Sequence, residues 1–289
     1  MRTSAPAPAR VVVARDGLEI AALDWAVDSQ ATPLLLLHPN GFCAGLFDPL
    51  ARILAAEGSC RPIGVDLRGH GATSKPADLA AYAFDEMARD VVAVLDALGI
   101  DDAVGLGQSL GGGVMVLVDG LRPGLLRRML LCEAVAFPIE RFIPTPNPMA
   151  AIARKRRMVW ADRETMRASY SQRAPLGDLA PDALDAYLTW GVVDRDDGKV
   201  ELACPPESEA NVFEISSTPA GAIMAWEHLP DLTAEATVVV GDRTNLPAQY
   251  FAGQAERARA ALLTVDGGHF MVQESAARAA GWVVEHLLG

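Results

Sequence analysis

The sequence predicts an α/β protein: a mostly parallel sheet of about eight strands with helices on both faces, and a helical cap inserted after strand 6. Three observations carry this. Short leucine-rich or β-branched runs alternate with longer segments of helical periodicity over the first 135 residues or so. The alternation stops near Phe137, where Pro138, Pro144, Pro146 and Pro148 open about 90 residues that read as helical and charged. Strand signals then return after residue 236. A β-α-β-α order implies parallel strands joined by covering helices.

The elements follow in order. Residues 11–14 and 18–25 flank Asp16-Gly17, a two-residue hairpin signal. Residues 34–37 are four leucines in a row, as a strand buried on both faces requires. A helix is expected over 49–57 and a strand over 62–66. Phe84, Met87, Val91, Val94, Leu95 and Leu98 recur at helical spacing, and Gly99 ends that helix. Residues 103–106 are the next strand, 110–121 a helix and 129–131 another strand. After the insertion come strands over 237–240 and 262–265 and helices over 249–261 and 275–288. The chain thus divides into a core, 1–136 and 235–289, and a cap, 137–234, the plan of a catalytic domain with a lid.

Composition narrows the function. With 25 basic and 37 acidic residues the net charge is −12. Such a surface repels phosphate backbones and anionic lipid, so neither nucleic acid nor a membrane is expected as a partner. Four scattered cysteines (Cys43, Cys60, Cys132, Cys204) form no CxxC pair and read as reduced thiols without zinc-ligand spacing. The Ala/Pro-rich residues 1–10 lack a signal-peptide core and read as a frayed tail, and no apolar run approaches membrane-spanning length. A soluble cytoplasmic protein is the expectation. Nothing in the sequence argues an oligomeric state.

Three segments carry chemistry. Gly107-Gln108-Ser109-Leu110-Gly111 is a GxSxG pentapeptide between a strand and a glycine-rich helix start. Small flanking residues let strand and helix approach on a strained turn that leaves the serine hydroxyl exposed, with the Leu110 N–H at the helix N-terminus facing a reacting oxygen. A glycine-rich turn that merely packs is the bland alternative. His38-Pro39-Asn40-Gly41-Phe42 ends the leucine strand, where a tight turn could add the Asn40 N–H to complete an oxyanion hole. Asp266-Gly267-Gly268-His269-Phe270 follows the last strand. His228 and His286 fall in helical segments and His70 in a glycine turn, which leaves His269 as general base to Ser109 by elimination and position.

With these motifs in this order, the chain resembles the α/β-hydrolase superfamily over residues 10–135 and 235–288. The likeness rests on the His-Pro-Asn-Gly turn, the segment Asp66-Leu67-Arg68-Gly69-His70-Gly71, the GQSLG elbow and the GGHF loop. His38-Pro39 departs from the usual His-Gly. The insertion resembles the helical cap of the epoxide-hydrolase and haloalkane-dehalogenase branch. The superfamily usually carries its triad acid after the penultimate strand, but Thr244 occupies that position and Asp242 stands two residues early. Some haloalkane dehalogenases and the fungal zearalenone lactone hydrolases carry a glutamate after strand 6 instead, in contexts similar to Cys132-Glu133-Ala134. The resemblance therefore favours Glu133 as partner of His269, with Asp242 as the alternative.

Ser109 also separates reactions. The dehalogenase and epoxide-hydrolase chemistries need a carboxylate nucleophile, whereas a His-activated serine suits acyl transfer from an ester, lactone or thioester carbonyl, with no metal and no cofactor. Carbon–carbon bond hydrolysis and hydroxynitrile lysis on the same frame, and non-catalytic binding of a small ligand, are the rivals. Phe42, Phe137, Trp160, Trp190 and Trp226 are the candidates to line a pocket for a small hydrophobic substrate. The basic run Arg154-Lys155-Arg156-Arg157, with Arg163 and Arg167, is read either as steering an anionic substrate or as pairing with Asp162, Glu164 and their neighbours.

Overall fold

The computed structural model describes residues 7–138 and 146–289; residues 1–6 of the expected tail, and Pro144, lie outside them. The chain opens with an antiparallel hairpin of β1 (Ala9–Arg15) and β2 (Leu18–Asp24). Both turn residues, Asp16 (φ 51°) and Gly17 (φ 78°), take the positive φ that a two-residue hairpin demands. β3 (Pro33–Leu37), α1 (Asp48–Ala56), β4 (Arg61–Val65), α2 (Phe84–Ala97), β5 (Ala103–Gln108), α3 (Leu110–Leu121) and β6 (Leu126–Cys132) then alternate. Gly99, at φ 68°, terminates α2.

The chain between β6 and the next strand of this sheet contains α4 (Pro148–Ala153), β7 (Val159–Trp160), α5 (Arg163–Tyr170), α6 (Pro181–Trp190), β8 (Val192–Asp194), β9 (Val200–Leu202), α7 (Pro206–Ser216) and α8 (Met224–His228). The sequence reading of this stretch as helical needs correcting: β7, β9 and β8 form a small antiparallel sheet. Strands of two or three residues are too short to show a period of two, so there is no alternation to detect. The chain closes with β10 (Glu235–Gly241), α9 (Ala248–Ala258), β11 (Ala261–Val265), α10 (Met271–Glu274) and α11 (Ala276–Val283).

The main sheet has eight strands in the order β1-β2-β4-β3-β5-β6-β10-β11, parallel from β4 onward. The four leucines of β3 alternate between its faces. Leu35 and Leu37 join Met87, Val91 and Val94 of α2 and Val114 of α3. Leu34 and Leu36 join Leu50 and Leu54 of α1 and Met271, Ala279 and Val283 near the C-terminus. A period of two laid on an unbroken apolar run is what a strand covered on both sides needs. No helix among the described residues is long and apolar enough to cross a membrane.

Strand register aligns the loops at one end of this sheet. Leu37 lies opposite Gly107, Gln108 opposite Cys132, Cys132 opposite Val239, and Gly241 opposite Val265. Five parallel strands therefore end along one edge, and the loops that leave them start side by side, about 4.8 Å apart per strand. Open α/β sheets bind ligands at this carboxyl edge.

Candidate active site

Ser109 sits between the end of β5 and the start of α3 with φ 54° and ψ −117°, a conformation L residues avoid and that costs on the order of 1–3 kcal/mol. The surroundings over-determine it. Its N–H donates to Cys132 O (2.9 Å), while its carbonyl accepts from Gly112 (3.0 Å) and Val135 (2.9 Å). The flanking glycines are required by contact: a Cβ on Gly111 would lie 2.1 Å from Leu37 O, and one on Gly107 2.7 Å from Gly111 O. The result is a serine 9% exposed, at the positive end of α3, next to the Leu110 N–H, which as a first-turn amide has no partner within the helix.

One strand over, Glu133 leaves β6 at φ 44° and is fully buried. Its two carboxylate oxygens are divided between two partners. Oε1 accepts the Gly241 N–H at 3.0 Å, and Oε2 lies 2.7 Å from His269 Nδ1. A buried carboxylate at that distance places the proton on Nδ1 and leaves Nε2 as the basic nitrogen. The imidazole is 24% exposed. Asp242 does not reach the ring: its Oδ1 accepts the Gly267 N–H at 3.0 Å and its side chain is half exposed. It braces the histidine loop rather than the histidine. Glu274 does the same at the next residue, accepting the Gly268 N–H at 2.7 Å while Arg243 bridges it to Asp266. A third brace, missed in the sequence, is the Gln108 amide, which donates to His269 O at 2.9 Å. The available signal was an amide ending an otherwise apolar strand, since a buried polar group must find partners.

The turn after β3 is built on two buried histidines packed edge to face, ring centroids 4.9 Å apart. Burial lowers the pKa of His38, and burial together with the charge His38 would carry pushes that of His70 well below the ordinary range. Both rings are therefore neutral. His38 donates from Nδ1 to Pro39 O (2.9 Å) and accepts the Leu67 N–H (3.0 Å); His70 donates to Arg68 O (2.8 Å) and accepts the Gly41 N–H (3.0 Å). His70, which the sequence places only in a glycine turn, is thus a direct support of the turn carrying Asn40. Asp66 adds another, accepting the Ala44 (2.7 Å) and Ala72 (2.8 Å) N–H groups. The Asn40 side chain donates to Glu209 O of α7 at 3.0 Å. The Leu37 carbonyl packs against Gly111, so this turn lies beside the N-terminus of α3.

The five aromatic candidates separate. Phe42 contacts Tyr187 of α6 (5.0 Å between centroids) and Phe270 (5.1 Å), joining the turn, the insertion and the residue after His269 in one apolar cluster. Trp160 is buried in that cluster against Tyr170. Trp190 lies against Gly45, where a Cβ would come within 2.1 Å of the Trp190 Cγ. Phe137 packs instead with Tyr250 and Phe251, and Trp226 lies against Gly253 and under the Arg257 guanidinium. Those two belong to the packing of α9. Arginines of the basic run pair within the insertion, but with carboxylates distant in sequence: Arg154 with Glu207 and Glu214, Arg156 with Glu209, Arg163 with Asp194 and Arg167 with Asp185. Asp162 caps α5 instead, accepting the Thr165 N–H at 2.6 Å. Cys43 is buried, and desolvation raises its thiol pKa, as a packing residue requires. Among the described residues no group of three or more His, Cys, Asp or Glu side chains could hold a metal ion.

The chain is 33% identical over 103 residues to a 2-heptyl-3-hydroxy-4-quinolone dioxygenase of Rhodococcus erythropolis, covering 35% of this chain and 36% of that protein. It is 30% identical over 135 residues to a 2-hydroxymuconate semialdehyde hydrolase of Pseudomonas putida, covering 45% and 48%. The chain thus spans less than half the length of these curated relatives. Among solved structures, the thioesterase domain from the curacin biosynthetic pathway superposes with a TM-score of 0.81 at 18% identity, over 96% of this chain and all of that one, which shows a shared fold. The model of the alpha/beta hydrolase family matches residues 34–282, and the chain belongs to that family.

Proposed function

We propose that this protein is a serine hydrolase that cleaves a carboxylic ester or lactone of a small hydrophobic molecule through an acyl-enzyme, with residues 137–234 as its cap. The observation that carries the reading is the 2.7 Å contact between His269 Nδ1 and the buried Glu133 carboxylate, one strand from a serine held on a strained elbow. Ser109 Oγ attacks the carbonyl carbon while His269 Nε2 takes its proton. Glu133 keeps the ring in the tautomer that can do so and stabilises the imidazolium that forms. The N–H groups of Leu110 and Asn40 receive the oxyanion. The leaving alcohol takes the proton back from His269, and a water activated by the same ring releases the acid. A thioesterase domain shares this fold, and thioester cleavage is an acyl transfer.

A second reading, hydrolysis of a carbon–carbon bond on the same residues, is favoured by the semialdehyde hydrolase relative. The test begins with intact mass after incubation with a fluorophosphonate. One adduct is expected on the wild type and none on Ser109→Ala; labelling that survives Ser109→Ala overturns the assignment. Substrate panels then divide the readings, since esters and lactones report acid release and a dienone acid would lose its chromophore.

A further inference from the structure

The Gln108 side chain has no step in the proposed reaction, yet it is fully buried one residue before Ser109. Its partners fix its orientation. The His269 carbonyl can only accept, so the group facing it at 2.9 Å is the amide N–H of Nε2. Oε1 then faces the other way and accepts from Gln273 Nε2, also at 2.9 Å. Gln273 is buried in α10, and its carbonyl accepts the N–H of Ala180, the residue before α6, at 3.0 Å. A single line of hydrogen bonds therefore runs from the insertion through Gln273 and Gln108 to the backbone of His269. The carboxylates of Asp242 and Glu274 hold Gly267 and Gly268, short of the histidine itself.

The geometry points to Gln108 as a positioning residue: through the His269 carbonyl it sets how far the imidazole stands from Ser109, and Gln273 holds its amide in the donating orientation. This rests on His269 serving as base to Ser109. Gln108 and Ser109 are consecutive, so a bond from one to the His269 carbonyl constrains the separation of the other from the ring by little more than one residue of chain. Reacting groups misplaced by about 1 Å lose about 10²-fold in rate, which makes a brace at this point consequential.

The experiment compares wild type, Gln108→Leu and Gln273→Leu by two readouts: the fluorophosphonate labelling rate at saturating probe, and deuterium uptake of the segment 266–274. Gln108→Leu is expected to slow maximal labelling about 10- to 100-fold with the half-saturating probe concentration unchanged, and to raise uptake in that segment. Gln273→Leu leaves the inner bond in place and gives a smaller change in the same direction. It also carries the test if Gln108→Leu does not fold. Wild-type values in both variants overturn the proposal, as does a loosened loop with an undiminished maximal rate, which would make the amide merely structural. If wild type takes no label while Gln108→Leu still loosens 266–274, the acyl-transfer reading falls and the bracing of the loop stands.

Discussion

The carboxyl edge of the sheet and the insertion resting on it are held by different forces. Around Ser109 and His269 the braces are hydrogen bonds between buried, oriented side chains and backbone: Glu133, His70 and Asp66 accept from the N–H groups of Gly241, Gly41 and Ala44, and Gln108 donates to the His269 carbonyl. In the insertion, long arginines reach carboxylates across gaps in sequence of up to 60 residues, many of them partly in water. Buried bonds to backbone have one geometry and lose much when broken, whereas exposed ion pairs tolerate movement and are worth little. The contrast sets a sheet edge with fixed geometry against an insertion held by looser ties. The two regions touch at Phe42, Tyr187 and Phe270, so the insertion packs on the residue after His269 and on the turn that follows β3.

The largest expected effect breaks the fixed edge. Glu133→Gln removes the carboxylate that selects the His269 tautomer and should lower kcat about 10⁴-fold, the scale seen when a triad acid becomes an amide. Asp242→Asn keeps an oxygen for the Gly267 N–H and should stay within a few-fold of wild type. Steady-state kinetics on any substrate found by the panel checks both, and the reverse ranking would transfer the acid role to Asp242.

The next effect is on stability. Because His38 and His70 have folded-state pKa values below the ordinary 6.5, the unfolded chain binds protons that the native state refuses. Stability is therefore complete above about pH 6.5 and falls as pH drops below it, by up to about 1.4 kcal/mol per pH unit for each ring. Urea midpoints between pH 7.5 and 5.5 measure this, and a flat profile would mean that the rings charge freely in the native state.

Within the insertion, burial should set the ion pairs apart. Arg156 is only 22% exposed, pairs with Glu209 and donates to the Tyr187 hydroxyl at 3.1 Å. Arg156→Met should cost about 2 kcal/mol by leaving Glu209 buried beside Gly41 without its partner. Arg154→Ala, whose partners Glu207 and Glu214 are 64% and 19% exposed, should cost at most about 1 kcal/mol and less in high salt. Equal losses in thermal melts would show that the insertion is held as rigidly as the edge.

Local signals were enough for much of this molecule. Leucine runs, Asp16-Gly17, Gly99, the GxSxG elbow and the lone histidine in its glycine loop each act over a few residues, through turn chemistry and burial period, and so can be read from the chain directly. Which carboxylate faces His269 is different in kind. Glu133 and His269 are 136 residues apart, and only the register that sets Cys132 beside Val239 and Gly241 beside Val265 brings them together. The same holds for Gln108 and Gln273, for the small sheet whose strands are too short to carry a pattern, and for Phe137 and Trp226, whose aromatic character says nothing of which neighbour they pack against. The long strands and helices of the main sheet and the candidate residues Ser109 and His269 are legible in the chain, because they depend on neighbours within it. Tertiary structure decided the pairings, because hydrogen-bond partners and apolar contacts are chosen by distance in space.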